Sequence, residues 1–208
     1  MKSLIRSSAA VAVLAAGLTF AQQAKAFEFS AVGGLNITAA SIEEAGVSAT
    51  AISGKSTVAF GGLAAFGVMP GFDLETGLVY VPRKFGATFP IIGEFETQFS
   101  SWMIPLALRF NALPFVSVAA GPYFMMATGN VSTTVLGVTA ESAFDAAGIS
   151  SSEFGLHGSV RVGFPIVPTI RVFADARYLM GLSNRATDAA DSTKFNDVQV
   201  LGGLSFGL

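Results

Sequence analysis

Three observations predict an all-β protein that crosses a membrane as a closed antiparallel barrel of eight strands. Charged residues are scarce, apolar residues recur at every second position in eight segments, and no stretch after residue 26 is uniformly apolar over the length of a transmembrane helix. A backbone that spans lipid must satisfy its own hydrogen bonds, which restricts it to helices and closed barrels. Because the apolar period is two, the sequence predicts a transmembrane up-and-down β-barrel.

Residues 1–26 are expected to form a cleaved signal peptide, which as a short helix precedes the barrel domain of residues 27–208. A positive n-region, an apolar stretch from Ala9 to Phe20 and the small-x-small pattern Ala24-Lys25-Ala26 are typical of secretory signals. The chain has no Cys, so disulfides and thiolate chemistry are excluded.

The charge composition limits the classes of partner. Because Lys2, Arg6 and Lys25 belong to the signal peptide, residues 27–208 contain nine of the 12 basic residues and all 14 acidic ones, a formal net charge of −5. Nucleic acid is excluded, since its binding requires a basic footprint. Charged residues make up 12% of the chain, about half the share of an ordinary soluble domain.

In each of the eight segments one parity is large and apolar, and this parity is expected to face lipid. For the fifth segment both parities are apolar, and we favour Val116, Val118, Phe124 and Met126. For the other segments the apolar members, in chain order, are Phe27, Phe29, Leu35 and Ile37; Val58, Phe60, Phe66 and Val68; Phe72, Leu74, Leu78 and Tyr80; Trp102, Ile104, Leu106, Leu108 and Phe110; Phe154, Leu156, Val160, Val162 and Phe164; Ile170, Val172, Tyr178, Met180 and Leu182; and Val198, Val200, Leu204, Phe206 and Leu208.

The opposite parity is small or polar and is expected to line the lumen. Its charged members in the strands are Asp73, Glu75, Arg83, Arg109, Glu153, Arg161, Arg171, Asp175 and Arg177. Acids and bases are mixed, and an unpaired buried charge is prohibitively costly, so we expect mutual ion pairs that plug the lumen. A narrow channel for small solutes is the alternative.

Short and long connections alternate along the chain. Residues 69–71, 111–114 and 165–168 are predicted tight turns, and residues 39–54, 84–94, 129–151 and 183–195 are predicted long loops. This arrangement places both termini and the short turns in the periplasm and the long loops outside the cell. Within the third loop, residues 131–140 alternate and are expected to extend strand pairing above the membrane. Residues 141–147 are expected either to form a short helical turn or to stay mobile. Charges in and beside these loops, Arg185 and Lys194 among them, are expected on a mildly acidic outer surface.

The aromatic residues then fall into two girdles, as is typical of membrane interfaces. The periplasmic girdle comprises Phe29, Phe66, Phe72, Phe110, Phe164 and Phe206, and the outer girdle comprises Phe60, Tyr80, Trp102, Phe124, Phe154 and Tyr178. A soluble barrel with an apolar interior is disfavoured, because eight strands enclose too little space for about five large side chains from each.

Several motifs resemble the PorT-like outer-membrane β-barrel family. The run Ile104-Pro105-Leu106-Ala107-Leu108-Arg109-Phe110 resembles the family's fourth-strand motif, and Gly121-Pro122-Tyr123 resembles that of the next strand. Phe154-Gly155-Leu156, Asp175-Ala176-Arg177-Tyr178 and Gly181-Leu182-Ser183-Asn184 are similar to its sixth and seventh strands. The resemblance covers about residues 95–184. It implies an integral outer-membrane protein and no single activity.

The last segment carries a terminal pattern that predicts insertion by the barrel-assembly machinery. Gly203, Phe206 and Leu208 match an alternating strand that ends on a large apolar residue. Outer-membrane lipid, including lipopolysaccharide, is then the expected surrounding.

One polar set suggests chemistry. Glu153, His157 and Ser159 share a parity, and the His-x-Ser spacing is similar to that of the lipid A deacylases, so a lipid-modifying hydrolase is an alternative. We expect a packed polar lumen instead, because the predicted parity directs all three away from lipid. No catalytic, metal or cofactor site is predicted. The expected role is structural or interfacial: adhesion or partner binding through the four outward loops, with no large open pore.

Overall fold

The structure, a computed structural model, describes residues 27–44, 47–89, 93–186 and 192–207. Its strands are β1 (Phe27–Glu44), β2 (Val47–Met69), β3 (Phe72–Phe89), β4 (Gly93–Leu113), β5 (Val116–Val135), β6 (Val138–Ser142), β7 (Ser152–Val167), β8 (Ile170–Gly181) and β9 (Ser192–Gly207). The predicted signal peptide and Leu208 lie outside the described residues.

Eight of these strands form a closed antiparallel barrel. β9 pairs with β1 from Glu28–Gly207 to Glu43–Ser192, which closes the sheet. β5 pairs with β4 on one side and with β7 on the other, whereas β6 pairs only with the outer end of β5 in the part of the chain described. The predicted eight-stranded barrel is confirmed, as is the predicted extension of pairing beyond Val131.

Within the described residues, no helix is long and apolar enough to cross a membrane.

The two faces of the wall are those that the apolar parity predicts. Leu106 is 47% exposed on the outer face, while its neighbour Ala107 is buried on the inner face. In the fifth segment, Val118 and Phe124 face outward and Tyr123 and Met125 face the lumen, as favoured from the sequence. An outer face of large apolar side chains is stable in hydrocarbon, so the closed sheet presents a lipid-compatible surface.

The three predicted tight turns connect β2 to β3, β4 to β5 and β7 to β8. At the first, Gly71 adopts a φ of 79°, a left-handed conformation that glycine reaches without steric cost. The amide of Asn111 donates to the carbonyl of Gly71 at 2.8 Å, so this turn is tied to the adjacent strand. All three turns lie at one end of the barrel, the periplasmic end of the predicted orientation.

The predicted long loops at residues 39–54 and 84–94 are wrong. β1 and β2 stay paired as far as Glu44–Val47, and β3 and β4 as far as Phe89–Gly93. A spanning strand needs only about 9–11 residues, so these strands continue well above the bilayer. In these segments the sequence lacks the sustained apolar alternation that marks a strand in lipid, although backbone pairing persists. The predicted loops at 129–151 and 183–195 are each shortened at one end, because β5 continues to Val135 and β9 begins at Ser192.

Arginine at Leu106 tests the lipid-facing assignment. Because Leu106 lies midway between the two girdles, Leu106→Arg is expected to lower the free energy of unfolding by about 2–4 kcal/mol. The measurement is a denaturant titration of protein inserted in lipid vesicles. The matched control is Leu136→Arg, in the connection beyond the membrane, which is expected to leave the unfolding free energy unchanged. Equal effects of the two substitutions would contradict the assignment.

Candidate functional site

The lumen contains two clusters of buried ion pairs. The outer cluster is formed by Arg83, Glu153, Asp197 and Arg185. Arg83 Nη1 lies 2.5 Å from Glu153 Oε2, and its Nη2 lies 2.5 Å from Asp197 Oδ2. The hydroxyl of Tyr123 donates to Glu153 Oε1 at 2.7 Å. Both carboxylates are fully buried, so each depends on the guanidinium groups for compensation.

The second group, the periplasmic cluster, is formed by Glu75, Arg109, Arg161, Asp175 and Arg177. Arg109 Nη2 lies 2.6 Å from Glu75, and Arg161 Nη2 and Arg177 Nη2 lie 2.8 and 2.9 Å from Asp175. Three cations thus share two buried carboxylates, and the Glu28 carboxylate approaches Arg161 to 4.0 Å. The bidentate geometry of arginine allows each carboxylate to accept several charge-assisted hydrogen bonds.

An apolar layer separates the two clusters. On β3 the inward side chain of Val79 lies between Glu75 of the periplasmic cluster and Arg83 of the outer cluster. The buried neighbours that complete the layer include Leu63, Met103, Met125, Leu179 and Leu201. Side chains of the described residues therefore fill this part of the lumen, as is expected of eight strands.

The predicted mutual pairing is confirmed for seven of the nine strand charges, which form the two clusters. The prediction is wrong for Arg171, which joins neither cluster and whose Nε has no hydrogen-bond partner among the described residues. Asp73 accepts a hydrogen bond from Asn111 at 2.8 Å instead of joining a cluster. The expected surface position of Arg185 is wrong: its side chain is 1% exposed and lies 3.4 Å from Glu153. Burial lowers the pKa of Arg185 to about 10, so it stays charged at neutral pH. Residue periodicity gave no signal for it, because β8 ends before Arg185.

The alternative hydrolase residues do not form a proton relay. Glu153 is bound to Arg83, Tyr123 and Arg185. Neither ring nitrogen of His157 nor the hydroxyl of Ser159 has a hydrogen-bond partner among the described residues. All three side chains are buried in the lumen, as predicted. A nucleophile needs a base within hydrogen-bond reach, and this arrangement does not supply one.

An aromatic cap, which the sequence did not predict, covers the outer cluster. It consists of Phe85, Phe99, Phe144, Phe195 and Val131. The guanidinium of Arg185 lies 5.0 Å from the ring centroid of Phe99 and 5.5 Å from that of Phe195. Such cation–π contacts stabilise a charge that is shielded from water. The cap therefore closes the outer end of the lumen and links it to the hairpin formed by the end of β5 and by β6.

This hairpin consists of residues 131–135 of β5 and of β6, and lies outside the cell in the predicted orientation. Val135 pairs with Val138, and the connecting residues Leu136 and Gly137 have φ values of 50° and 80°. Positive φ at both positions is the signature of a type I′ turn, which matches the twist of a two-stranded ribbon. Leu136 and Val138 are 71% and 73% exposed. The expected helical turn follows, with the amide of Ala147 donating to the carbonyl of Ala143 at 3.0 Å.

Removing the central cation tests the outer cluster. Arg83→Met leaves Glu153 and Asp197 buried with reduced compensation, and is expected to lower the free energy of unfolding by about 3–5 kcal/mol. A guanidinium titration in detergent micelles measures it. The triple variant Arg83→Met, Glu153→Gln, Asp197→Asn removes the buried charges together and is expected to recover most of the loss. If the single and triple variants are equally unstable, charge pairing is not what holds this region.

The chain is similar to solved structures of Neisserial surface protein A (12% identity, TM-score 0.49, covering 88% of this chain and 97% of that one) and OprG of Pseudomonas aeruginosa (15% identity, TM-score 0.49, 88% and 97%). It is also similar to Ail, the attachment invasion locus protein of Yersinia pestis (12% identity, TM-score 0.44, 86% and 98%). No curated protein matches it. The sequence profile of the outer membrane protein beta-barrel domain family matches residues 20–186. The chain therefore belongs to that family and is a protein of the bacterial outer membrane.

Proposed function

We propose that this barrel is a surface-interaction protein that presents its β5–β6 hairpin to a partner outside the cell, without enzymatic activity and without a large open pore. The observation that carries the proposal is the exposed apolar tip of the hairpin. The filled lumen and the absence of an assembled relay at Glu153, His157 and Ser159 support it. We also propose that the chain is related to the PorT-like family, that the barrel-assembly machinery inserts it and that it contacts lipopolysaccharide.

The hairpin tip differs from the other exposed apolar surface in its surroundings. Residues such as Leu106 face lipid, which solvates them. Leu136 and Val138 lie at the end of a ribbon beyond the outer girdle, so water surrounds them until a partner covers them. Burial of such side chains stabilises a complex by about 1.5–3 kcal/mol each. The tip thus offers an apolar anchor with a polar rim of Thr134 and Thr139, whose hydroxyls lie 2.9 Å apart.

The free edge of β6 offers a second mode of recognition. Among the described strands, β6 pairs only with β5, which leaves its other edge of backbone donors and acceptors open. An extended peptide binds such an edge by adding a strand, with side-chain pockets giving specificity. A protein partner with an exposed strand or extended segment fits this surface best.

A narrow channel is the second candidate, favoured by unpartnered polar atoms in the lumen. The ring nitrogens of His157, the side-chain amide of Gln199 and Nη1 of Arg177 have no hydrogen-bond partner among the described residues. Buried polar groups of this kind usually bind water, which is the first requirement for permeation of a small solute. The apolar layer and the outer cluster oppose a continuous path.

The hairpin is tested by cells that display the full chain or the double variant Leu136→Asn, Val138→Thr at equal surface density. Binding to immobilised extracellular proteins and cell–cell aggregation are measured. Loss of the apolar anchor is expected to weaken binding at least about tenfold, since 1.4 kcal/mol corresponds to tenfold. Ile166→Asn at the periplasmic end is the matched control. Undiminished binding by the double variant would show that the hairpin tip is not the binding surface.

Conductance separates the two candidates. Purified protein in planar bilayers is expected to give no stable porin-like steps, because side chains fill an eight-stranded lumen. Reproducible currents that change with Arg109→Ala or Arg83→Ala, in protein that has passed a heat-modifiability check of folding, would favour the channel.

A further inference from the structure

Two grooves on the lipid-exposed side of the wall meet at Trp102. The lower groove, of about 470 Å³, lies on the outer faces of β1 to β4, and the upper groove, of about 560 Å³, lies on β3 to β5 at the outer girdle. Trp102 lines both. Together they form a continuous surface that runs from membrane depth to the level of the lipid headgroups.

The lower groove is apolar and built from small residues between large ones. Gly62 and Ala64 form its floor, and Phe29, Leu78 and Trp102 are among its walls. The Phe29 ring lies at the periplasmic girdle and Trp102 at the outer girdle, so the groove spans the hydrocarbon region. At that depth the occupant that covers an apolar groove is an acyl chain.

The upper groove is polar and is shaped by an irregularity in the sheet. The register between β4 and β5 shifts between Gln98–Ser132 and Ser100–Thr128, and Gly129 has a φ of 78°. Side chains that line the groove include Gln98, Ser100, Thr128, Asn130 and Ser132, above Tyr80 and Trp102. Hydroxyl and amide groups over aromatic rings suit a sugar, whose polar edges hydrogen-bond while its apolar face stacks.

Two lysines adjoin the upper groove. Lys84 pairs with Gln98 in the β3–β4 ladder, and Lys55 pairs with Lys84 across β2 and β3. Their ammonium groups lie 2.6 and 2.5 Å from the Glu96 carboxylate. Hydrogen bonds from Lys55 and Lys84 hold the pKa of Glu96 below its usual value. The group carries a net charge of +1 on a chain whose barrel domain is acidic.

We propose that these grooves bind one phosphorylated glycolipid of the outer leaflet, the lipid A class, with an acyl chain in the lower groove, its sugar over Tyr80 and Trp102, and its phosphate at Lys55 and Lys84. Two features favour this ligand. The lysines complement the charge of its phosphate, and the apolar, aromatic, polar and cationic surfaces follow one another along the membrane normal in the order of its acyl chain, sugar and phosphate. A phospholipid has a chain and a phosphate but no sugar for the upper groove. The site lies outside the lumen and apart from the hairpin tip.

Trp102 is the only tryptophan of the chain and so reports occupancy directly. The protein is inserted into vesicles of brominated phosphatidylcholine, whose chains quench Trp102, and unbrominated lipid A is added in increasing mole fraction. Lipid A is expected to relieve quenching at a mole fraction at least about tenfold lower than unbrominated phosphatidylcholine requires. Dephosphorylated lipid A and phosphatidylglycerol serve as the two comparison lipids. If either relieves quenching as well as lipid A does, or if lipid A shows no preference, the proposal fails.

Variants locate the site. Lys55→Gln with Lys84→Gln is expected to reduce the preference for lipid A about tenfold, whereas Lys194→Gln, at the outer end of β9, leaves it unchanged. Glu96→Gln removes the carboxylate that lies between the two lysines and is expected to strengthen the preference. Ala64→Leu fills the lower groove and weakens binding, with Ala176→Leu on the outer face of β8 as its matched control. Each variant is first checked for insertion by heat-modifiability. Equal effects of a site variant and its control would overturn the proposal.

Discussion

In hydrocarbon a backbone N–H or C=O without a partner costs several kcal/mol, and the pairing of β1 with β9 meets this constraint by closing the described sheet on itself. Closure with eight strands fixes a narrow circumference, and inward side chains must then fit at close quarters. At Gly203 a Cβ would lie 2.6 Å from Phe173 Cζ. Glycine at that position leaves room for the Phe173 ring, over which the Arg161 guanidinium stacks at 4.1 Å from the centroid. Small residues inside the wall therefore decide which large ones can fill it.

The same closure determines the environment of charged side chains in the lumen. Arginine and carboxylate side chains that point inward are removed from water, and removing a single ion from water costs several kcal/mol even after relaxation. The outer cluster meets this cost with two arginines and two carboxylates, and the periplasmic cluster with three arginines against two carboxylates and the nearby Glu28. Such clusters are weak contributors to net stability compared with an apolar core, but loss of one member is costly. The pairing thus makes the filling specific: few other arrangements of these side chains leave every charge compensated.

Much of the barrel was predictable because lipid imposes a simple rule on each strand. From Trp102 to Phe110 alternate residues are large and apolar, and the structure places each of them outward. Above the membrane this alternation is no longer required. The sequence therefore predicts a loop at residues such as Glu44 and Val47, although they are paired. In the lumen the parity identified Arg83 as inward but not its partner. Asp197 is 114 positions away in the sequence, and the stagger of strands around the barrel, which periodicity does not encode, sets that contact. Arg185 follows the end of β8, where no parity applies. The upper exterior groove depends on a bulge at Gly129, which the sequence indicates only as a turn-like Gly-Asn pair.

The outer cluster also holds the base of the β5–β6 hairpin in place. Arg185 binds Glu153 within the lumen, donates to the carbonyl of Ser150 beside the hairpin, and lies over Phe99. Phe99 in turn packs against Phe144 with ring centroids 5.7 Å apart. The base of the hairpin is therefore attached to the most buried ion pairs of the molecule, although its tip is exposed. A hairpin held in this way loses less conformational entropy on binding than a free loop, so more of its apolar contact area contributes to affinity. If the hairpin binds a partner as proposed, the ion pairs that fill the lumen are also the contacts that preorganise the ribbon for binding.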